Sequence, residues 1–255
     1  MNYPFISAKC ITYGRVSTLE EAIHSFLQQD YPGEKELIIV NDYPLQTLVY
    51  DHPEITIVNL PYTFSTIGDK ENFAIEMCKG ELIAVWDDDD VALPNHLSNI
   101  AKFWKPDTNM LHWARGVYYN APNITDIIGL GNSGIVFSKK AWEAIGKSPI
   151  ENAGGDMTLV HRIHELGRQH VVLAAPEDNE VSWFYRWGGI DVYHQSGQGH
   201  DVKGKPNAIQ RHSLFIEQKR AKGEIPTGVV ELNPHWKYDY IQMLKQFNEN
   251  KQANN

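Results

Sequence analysis

The amino-acid sequence predicts an α/β fold, a Rossmann-like, mostly parallel sheet flanked by helices. Three observations lead there. Short apolar runs of strand length recur between residues 5 and 86, amphipathic helical stretches separate them, and three of the runs stop at polar groups. Alternation of this kind is the pattern of parallel strands joined by crossover helices.

In chain order, Phe5 to Thr12 reads as a first buried strand. Ser17-x-x-Glu20 has the form of a helix capping box, and Leu19, Ala22, Ile23, Phe26 and Leu27 fall on one helical face. Pro32 and Gly33 end that helix. Glu36 to Val40 is a second strand, stopped by Asn41-Asp42, and Ile55 to Leu60 is a third. A second amphipathic helix is expected from Asp69 to Cys78, ended by Gly80 and followed by a fourth strand, Leu82 to Trp86.

The second half is less regular. Strands are expected at Leu111 to Tyr119, Gly134 to Ser138, Val171 to Ala174 and Val181 to Tyr185. Helices are expected around Lys140 to Ile145, after Gly154-Gly155-Asp156, and from Asn207 to Lys222. A last helix after Pro234 carries Trp236, Tyr240, Leu244 and Phe247 as one stripe; its polar face is not strongly basic, so packing on the domain is expected rather than on a membrane. Asn248 to Asn255 is expected to fray.

The 255 residues, 42% hydrophobic and 22% charged, suffice for one large domain with a substantial core. A net charge of −9 without a basic patch argues against nucleic acid as a partner. Cys10 and Cys78 each sit in an apolar stretch and read as buried thiols of a reducing compartment. No run is apolar enough to span a bilayer and the N-terminus lacks a signal pattern, so a cytoplasmic protein is expected, with peripheral membrane contact left open.

In a parallel sheet, ligands sit beyond the carboxyl ends of the strands. Thr12-Tyr13, Asn41-Asp42 and Asp87 to Asp90 all stand at such ends, so chain order alone brings them to one rim. Asp87-Asp88-Asp89-Asp90 is the strongest local signal, because adjacent carboxylates repel one another unless a cation intervenes. Alternate residues Asp87 and Asp89 would share one side, and two hard oxygen donors suit Mg²⁺ or Mn²⁺ with a diphosphate completing the shell. The plainer alternative is a solvated acidic turn.

At these residues a resemblance emerges. Trp86 to Pro94 resembles the DxD segment of family 2 glycosyltransferases, and Ser7 to Arg15 is similar to that family's first strand, with Gly14 where asparagine is usual. Phe26 to Pro32, Glu36 to Asp42, Gly68-Asp-Lys-Glu-Asn72 and Lys79-Gly80-Glu81 match further segments, so the likeness covers residues 5 to 100. It implies a single GT-A domain over 1–255: a nucleotide-sugar half at 1–100, an acceptor and catalytic half at 101–200, and C-terminal helices at 201–255. The implied activity is metal-dependent, inverting transfer of a hexosyl or N-acetylhexosaminyl group from a nucleotide-sugar donor, UDP-linked by preference, to a glycan or lipid-linked acceptor.

The resemblance also implies roles. Thr12 and Tyr13 would line the base pocket, with Arg15 beside them among the donor-binding residues. Asp42 would bind uracil or ribose, Lys70 the base or diphosphate, and Asp87 the ribose or donor sugar. Asp89 would ligate the metal, while less is expected of Asp88, the variable middle position within the donor set. Asp156, opening a helix with Arg162 further along, would be the general base, or else only a helix cap. Arg186 would pair with the diphosphate or else form a surface salt bridge, and His194 would be a further metal ligand, while Trp183 and Trp187 would stack on a sugar or fill the core. Gly188-Gly189 and Ser196 to Gly199 would flank a lid. The competing readings are a non-catalytic nucleotide-sugar-binding module and a sugar nucleotidyltransferase; the latter needs a glycine-rich loop after the first strand that Tyr13 to Thr18 does not supply.

Overall fold

The computed structural model describes residues 3–120, 123–128, 134–152, 154–177, 180–186 and 208–253. The first half runs β1 (Ile6–Thr12), α1 (Val16–Leu27), β2 (Lys35–Asn41), β3 (Gln46–Val49), β4 (Ile55–Asn59), α2 (Ile67–Met77), β5 (Leu82–Val85) and β6 (Val91–Ala92). Next come α3 (His96–Phe103), β7 (Met110–Trp113), β8 (Arg115–Asn120), β9 (Asn123–Ile128), β10 (Ile135–Ser138), α4 (Lys139–Ala144) and α5 (Gly155–Glu165). The chain continues with β11 (Val171–Ala174), β12 (Trp183–Arg186), α6 (Ala208–Ala221), β13 (Gly228–Glu231) and α7 (Tyr240–Ala253).

The main sheet has seven strands in the order β11-β7-β10-β5-β1-β2-β4. It is parallel except at β10, which pairs antiparallel with both neighbours. Ile6, Ala8 and Cys10 of β1 pack with Leu19, Ile23 and Phe26 of α1 in one core. Ile38, Ile83 and Val85 face the other way, toward Ile75, Trp142, Leu159 and Ile163. Both layers of the expected α/β sandwich are thus present, and Cys10 and Cys78 are buried free thiols.

Several details differ from the sequence reading. Helix α1 begins at Val16 with Arg15 as its N-cap, so Ser17 lies inside the first turn and is exposed rather than capping. The stretch Leu111 to Tyr119 is two strands in different sheets: β7 belongs to the main sheet, β8 to a second sheet ordered β6-β12-β8-β9. A third, two-stranded sheet joins β3 to β13. These strands of two to six residues are too short for periodicity to reveal. The last helix starts at Tyr240, with Trp236 in the segment before it, and stays helical to Ala253, beyond the expected fray at Asn248.

The two larger sheets meet at α3. His96, at its start, is buried between the rings of Trp86 and Trp113, and its Nδ1 lies 2.8 Å from Ser182 Oγ just before β12. Burial pushes its pKa down to about 3. A histidine held neutral contributes stability that is complete above its unfolded pKa near 6.5 and is lost as pH falls toward the folded value. Denaturation in urea should therefore show stability falling below pH 6.5 with a component of about 1.4 kcal/mol per pH unit from this one group. His96→Gln should flatten that component; an unchanged pH slope would contradict it.

Candidate functional site

The carboxyl ends of three neighbouring strands form one rim. Thr12 and Asn41 are register partners at the ends of β1 and β2, and Trp86 N–H donates to the Lys9 carbonyl at 2.9 Å, extending β5 alongside β1. The polar groups that follow each strand are therefore brought together, as chain order predicts.

Helix α2 supplies the next component, and each residue of Gly68-Asp-Lys-Glu-Asn72 has a distinct use. Thr66 caps the helix by accepting from Asp69 N–H at 3.0 Å. Gly68 lies against the backbone of Pro149, where a Cβ would fall 2.0 Å from the carbonyl oxygen. Glu71 pairs with the buried Lys9 at 2.9 Å, and Asn72 exchanges two hydrogen bonds with the Ser148 backbone. Lys70 turns inward, donating to the Thr12 carbonyl at 2.6 Å and to the Asp42 carboxylate. Burial lowers the Lys70 pKa, with Asp42 opposing that shift. Asp42 also accepts from Phe64 N–H at 3.0 Å, fixing the loop that leads to α2. Lys70 is thus the buried partner of Asp42.

Above this pair, Tyr13 and Tyr43 meet edge to face at 4.9 Å between centroids. Tyr43 packs with Ile216 of α6 and Ile225. Gly14 has φ +69°, and a Cβ there would sit 2.9 Å from Ile216 Cγ2. The glycine that replaces the family's usual asparagine therefore allows both a left-handed turn and the close approach of α6.

The aspartate turn follows β5. Arg15 Nε donates to Asp88 Oδ2 at 3.0 Å and its Nη1 to Asp89 Oδ2 at 2.6 Å. Burial pushes the Asp88 carboxyl up to about 6, against the pull of Arg15 and with a further push from Asp89. Asp88 is 1% exposed and pairs with Arg15. Asp87 stands more open than its three neighbours. From the opposite side, Arg186 N–H donates to Asp90 Oδ1 at 2.9 Å and its Nε to the Asp89 carbonyl. The Arg186 guanidinium also pairs with Glu21 and is 5% exposed, so it is committed beneath the turn rather than presented to a diphosphate. Among the described residues, no three His, Cys, Asp or Glu side chains are grouped as a metal cage.

Asp156 stands in the first turn of α5, where Gly154, not Asp156, is the N-cap. The segment entering α5 is bound to the start of α2: Gly68 N–H donates to the Glu151 carbonyl and Ile67 N–H to Asn152 Oδ1, both at 3.2 Å. Trp183 is buried and Gly116 backs onto its indole, so it is core rather than a sugar platform. His194, Trp187, Gly188-Gly189 and Ser196 to Gly199 lie outside the described residues. The sequence reading passed over Glu21, which is fully buried. A signal was available: Thr18, Glu21 and Ser25, spaced three and four apart, form a polar stripe beside the apolar one.

The fold that carries this rim is GT-A, shared with solved structures that align with the chain. Residues 9–131 match the model of Glycosyl transferase family 2. Over 102 residues it is 31% identical to the uncharacterised glycosyltransferase YwdF of Bacillus subtilis (strain 168), covering 38% of this chain and 37% of that one. Among solved structures, S. aureus TarS 1–349 in complex with UDP-GlcNAc aligns with TM-score 0.58 at 14% identity, over 74% of this chain and 59% of that one. The mannosyltransferase PcManGT from Pyrobaculum calidifontis, in complex with GDP-Man and Mn²⁺, aligns with TM-score 0.54 at 15% identity, over 72% and 57%. The chain therefore spans less than two thirds of each of these relatives, and the structural likenesses establish the fold. No helix among the described residues is long and apolar enough to cross a membrane.

Removing one partner of a buried pair strands the other's charge, at a cost of about 3–5 kcal/mol. Lys70→Met should therefore destabilise the protein by an amount in that range, and the double variant with Asp42→Asn should recover much of it. Equal unfolding midpoints for wild type and Lys70→Met would show that the pair contributes nothing.

Proposed function

We propose that the chain is a glycosyltransferase that binds a UDP-sugar at the carboxyl edge of the main sheet and transfers the sugar, with inversion, to a hydroxyl of a glycan or lipid-linked acceptor. The observation that carries this reading is the convergence of Thr12, Arg15, Asp42, Lys70, Asp88 and Asp89 on one rim of a GT-A fold. The nucleotide sugars in the aligned TarS and PcManGT complexes support a nucleotide-sugar donor, and the preference for uridine is our own.

Tyr13 and Asp42 are assigned to the base and ribose, and Asp87, the most open of the four aspartates, to the ribose or donor sugar. The carboxylates fit Mn²⁺ or Mg²⁺ chemically, because they are hard oxygen donors. Asp89, with Asp87, would hold the ion, and diphosphate oxygens would complete its shell. Such an ion supplies positive charge to the departing diphosphate. Arg15, already at Asp88 and Asp89, is placed in this reading to turn toward the diphosphate when the donor enters. Asp156 is assigned to take the acceptor hydroxyl's proton as the oxygen attacks the anomeric carbon.

Thermal shifts with UDP and GDP, with and without Mn²⁺, test the donor assignment, because a ligand of the native state raises the melting temperature by mass action. Stabilisation by UDP with Mn²⁺ is expected, and no response to any nucleotide would sink the reading. Asp89→Asn should abolish metal-dependent turnover in a folded protein, so full activity in Mn²⁺ would contradict that ligand. For Asp156→Asn we expect turnover to fall ~10²–10⁴-fold with donor affinity little changed. A near-wild-type rate would require another base.

A further inference from the structure

Glu21 lies in the middle of α1 with no exposed surface, and nothing in the proposed chemistry uses it. Its carboxylate gathers donors from two distant parts of the chain. One oxygen pairs with Arg186 of β12. The other accepts from the Tyr240 hydroxyl at 2.8 Å and from Lys237 N–H at 3.0 Å. Two further contacts of Arg186 go to the aspartate turn, through Nε to the Asp89 carbonyl and through the backbone N–H to Asp90. A guanidinium is a rigid planar fork, so fixing one arm on Glu21 and another on Asp89 sets the turn relative to α1. A lysine cannot hold both contacts with one nitrogen in the same geometry.

The segment before α7 closes this arrangement. Trp236 Nε1 donates to Ser25 Oγ at 2.9 Å, and Ser25 Oγ donates to the Glu21 carbonyl at 2.9 Å. The Tyr240 ring packs edge to face on Phe184 of β12 at 5.3 Å and on Tyr119 of β8 at 6.1 Å. The carboxylate that holds Arg186 is therefore itself held from the C-terminal side.

We infer that Glu21 and Arg186 are a positioning pair that fixes the Asp87–Asp90 turn from beneath, and that Trp236 to Tyr240 lock this pair, making the C-terminal segment a support of the active site. The catalytic consequence rests on the proposed glycosyl transfer; the mechanical consequence does not.

Hydrogen–deuterium exchange of the full chain separates the two. Arg186→Lys keeps the charge and loses the fork, and Glu21→Gln keeps the shape and loses the charge. Tyr240→Phe deletes one hydroxyl and is the mildest change should the others fold poorly. In each, amides of residues 87–91 should exchange faster, by about tenfold in the first two and less in the third, while β1 and β2 keep their protection. Unchanged exchange at 87–91, or an increase shared equally with β1 and β2, would overturn the inference. With UDP-sugar and acceptor, Arg186→Lys should lower kcat about tenfold or more while UDP affinity without metal moves less than about twofold; an unchanged kcat overturns the catalytic part. A wild-type protein that binds no nucleotide would sink the proposed function, and the exchange data would still decide for or against the pair.

Discussion

Four carboxylates in sequence at the end of a buried strand impose a charge problem that organises everything around them. Unit charges about 4 Å apart near a protein surface interact by roughly 4 kcal/mol, so an uncompensated turn would oppose folding. Compensation comes from two sides. Arg15 reaches Asp88 and Asp89 from the start of α1, whose N-terminal end also favours negative charge. Arg186 approaches from below but arrives already paired with Glu21, so it supplies hydrogen bonds more than net charge. Burial, with a smaller push from Asp89, still holds the Asp88 carboxyl up at about 6 against the pull of Arg15.

That demand accounts for local features that would otherwise look arbitrary. Helix α1 starts at Val16, which leaves Arg15 at the N-cap with its side chain on Asp88 and Asp89 of the turn after β5. The glycine at position 14 lets the chain turn between Thr12 and Arg15 beneath Ile216. Buried Lys9 pairs with Glu71, and Lys70 with Asp42, so the charged side chains under the rim have opposite charges beside them. A buried ion pair contributes little net stability compared with apolar packing, but breaking one costs much more, which ties the rim to a single arrangement.

The first hundred residues were legible because their signals are local and periodic. Buried parallel strands read as apolar runs, helices as stripes, and the strand ends fall on one rim by topology alone. The second half resisted for equally physical reasons. β7 and β8 are separated only by Ala114, so no turn residue marks the switch between sheets, and β3 and β13 join segments almost two hundred residues apart. Arg186 shows the limit most clearly. The family resemblance suggested a diphosphate contact, with a surface salt bridge as the alternative, whereas its partner, Glu21, lies far away in sequence and looked like one polar position among several in α1. Which charge meets which depends on tertiary packing, and no spacing rule encodes it.

The same reasoning clarifies how the irregular half stays aligned with the regular one. The start of α5 is bound less to its own strands than to α2: Ser148 to Asn72, Glu151 to Gly68 and Asn152 to Ile67 form a run of hydrogen bonds along one face of that helix. Gly68 is what permits it, since a side chain there would collide with the Pro149 carbonyl. Lys70, two residues on, reaches from the same first turn to Thr12 and Asp42. Asp156 and the Asp42–Lys70 pair are therefore tied to one helix end. The start of α5 is thus located by the element that also holds the Asp42–Lys70 pair.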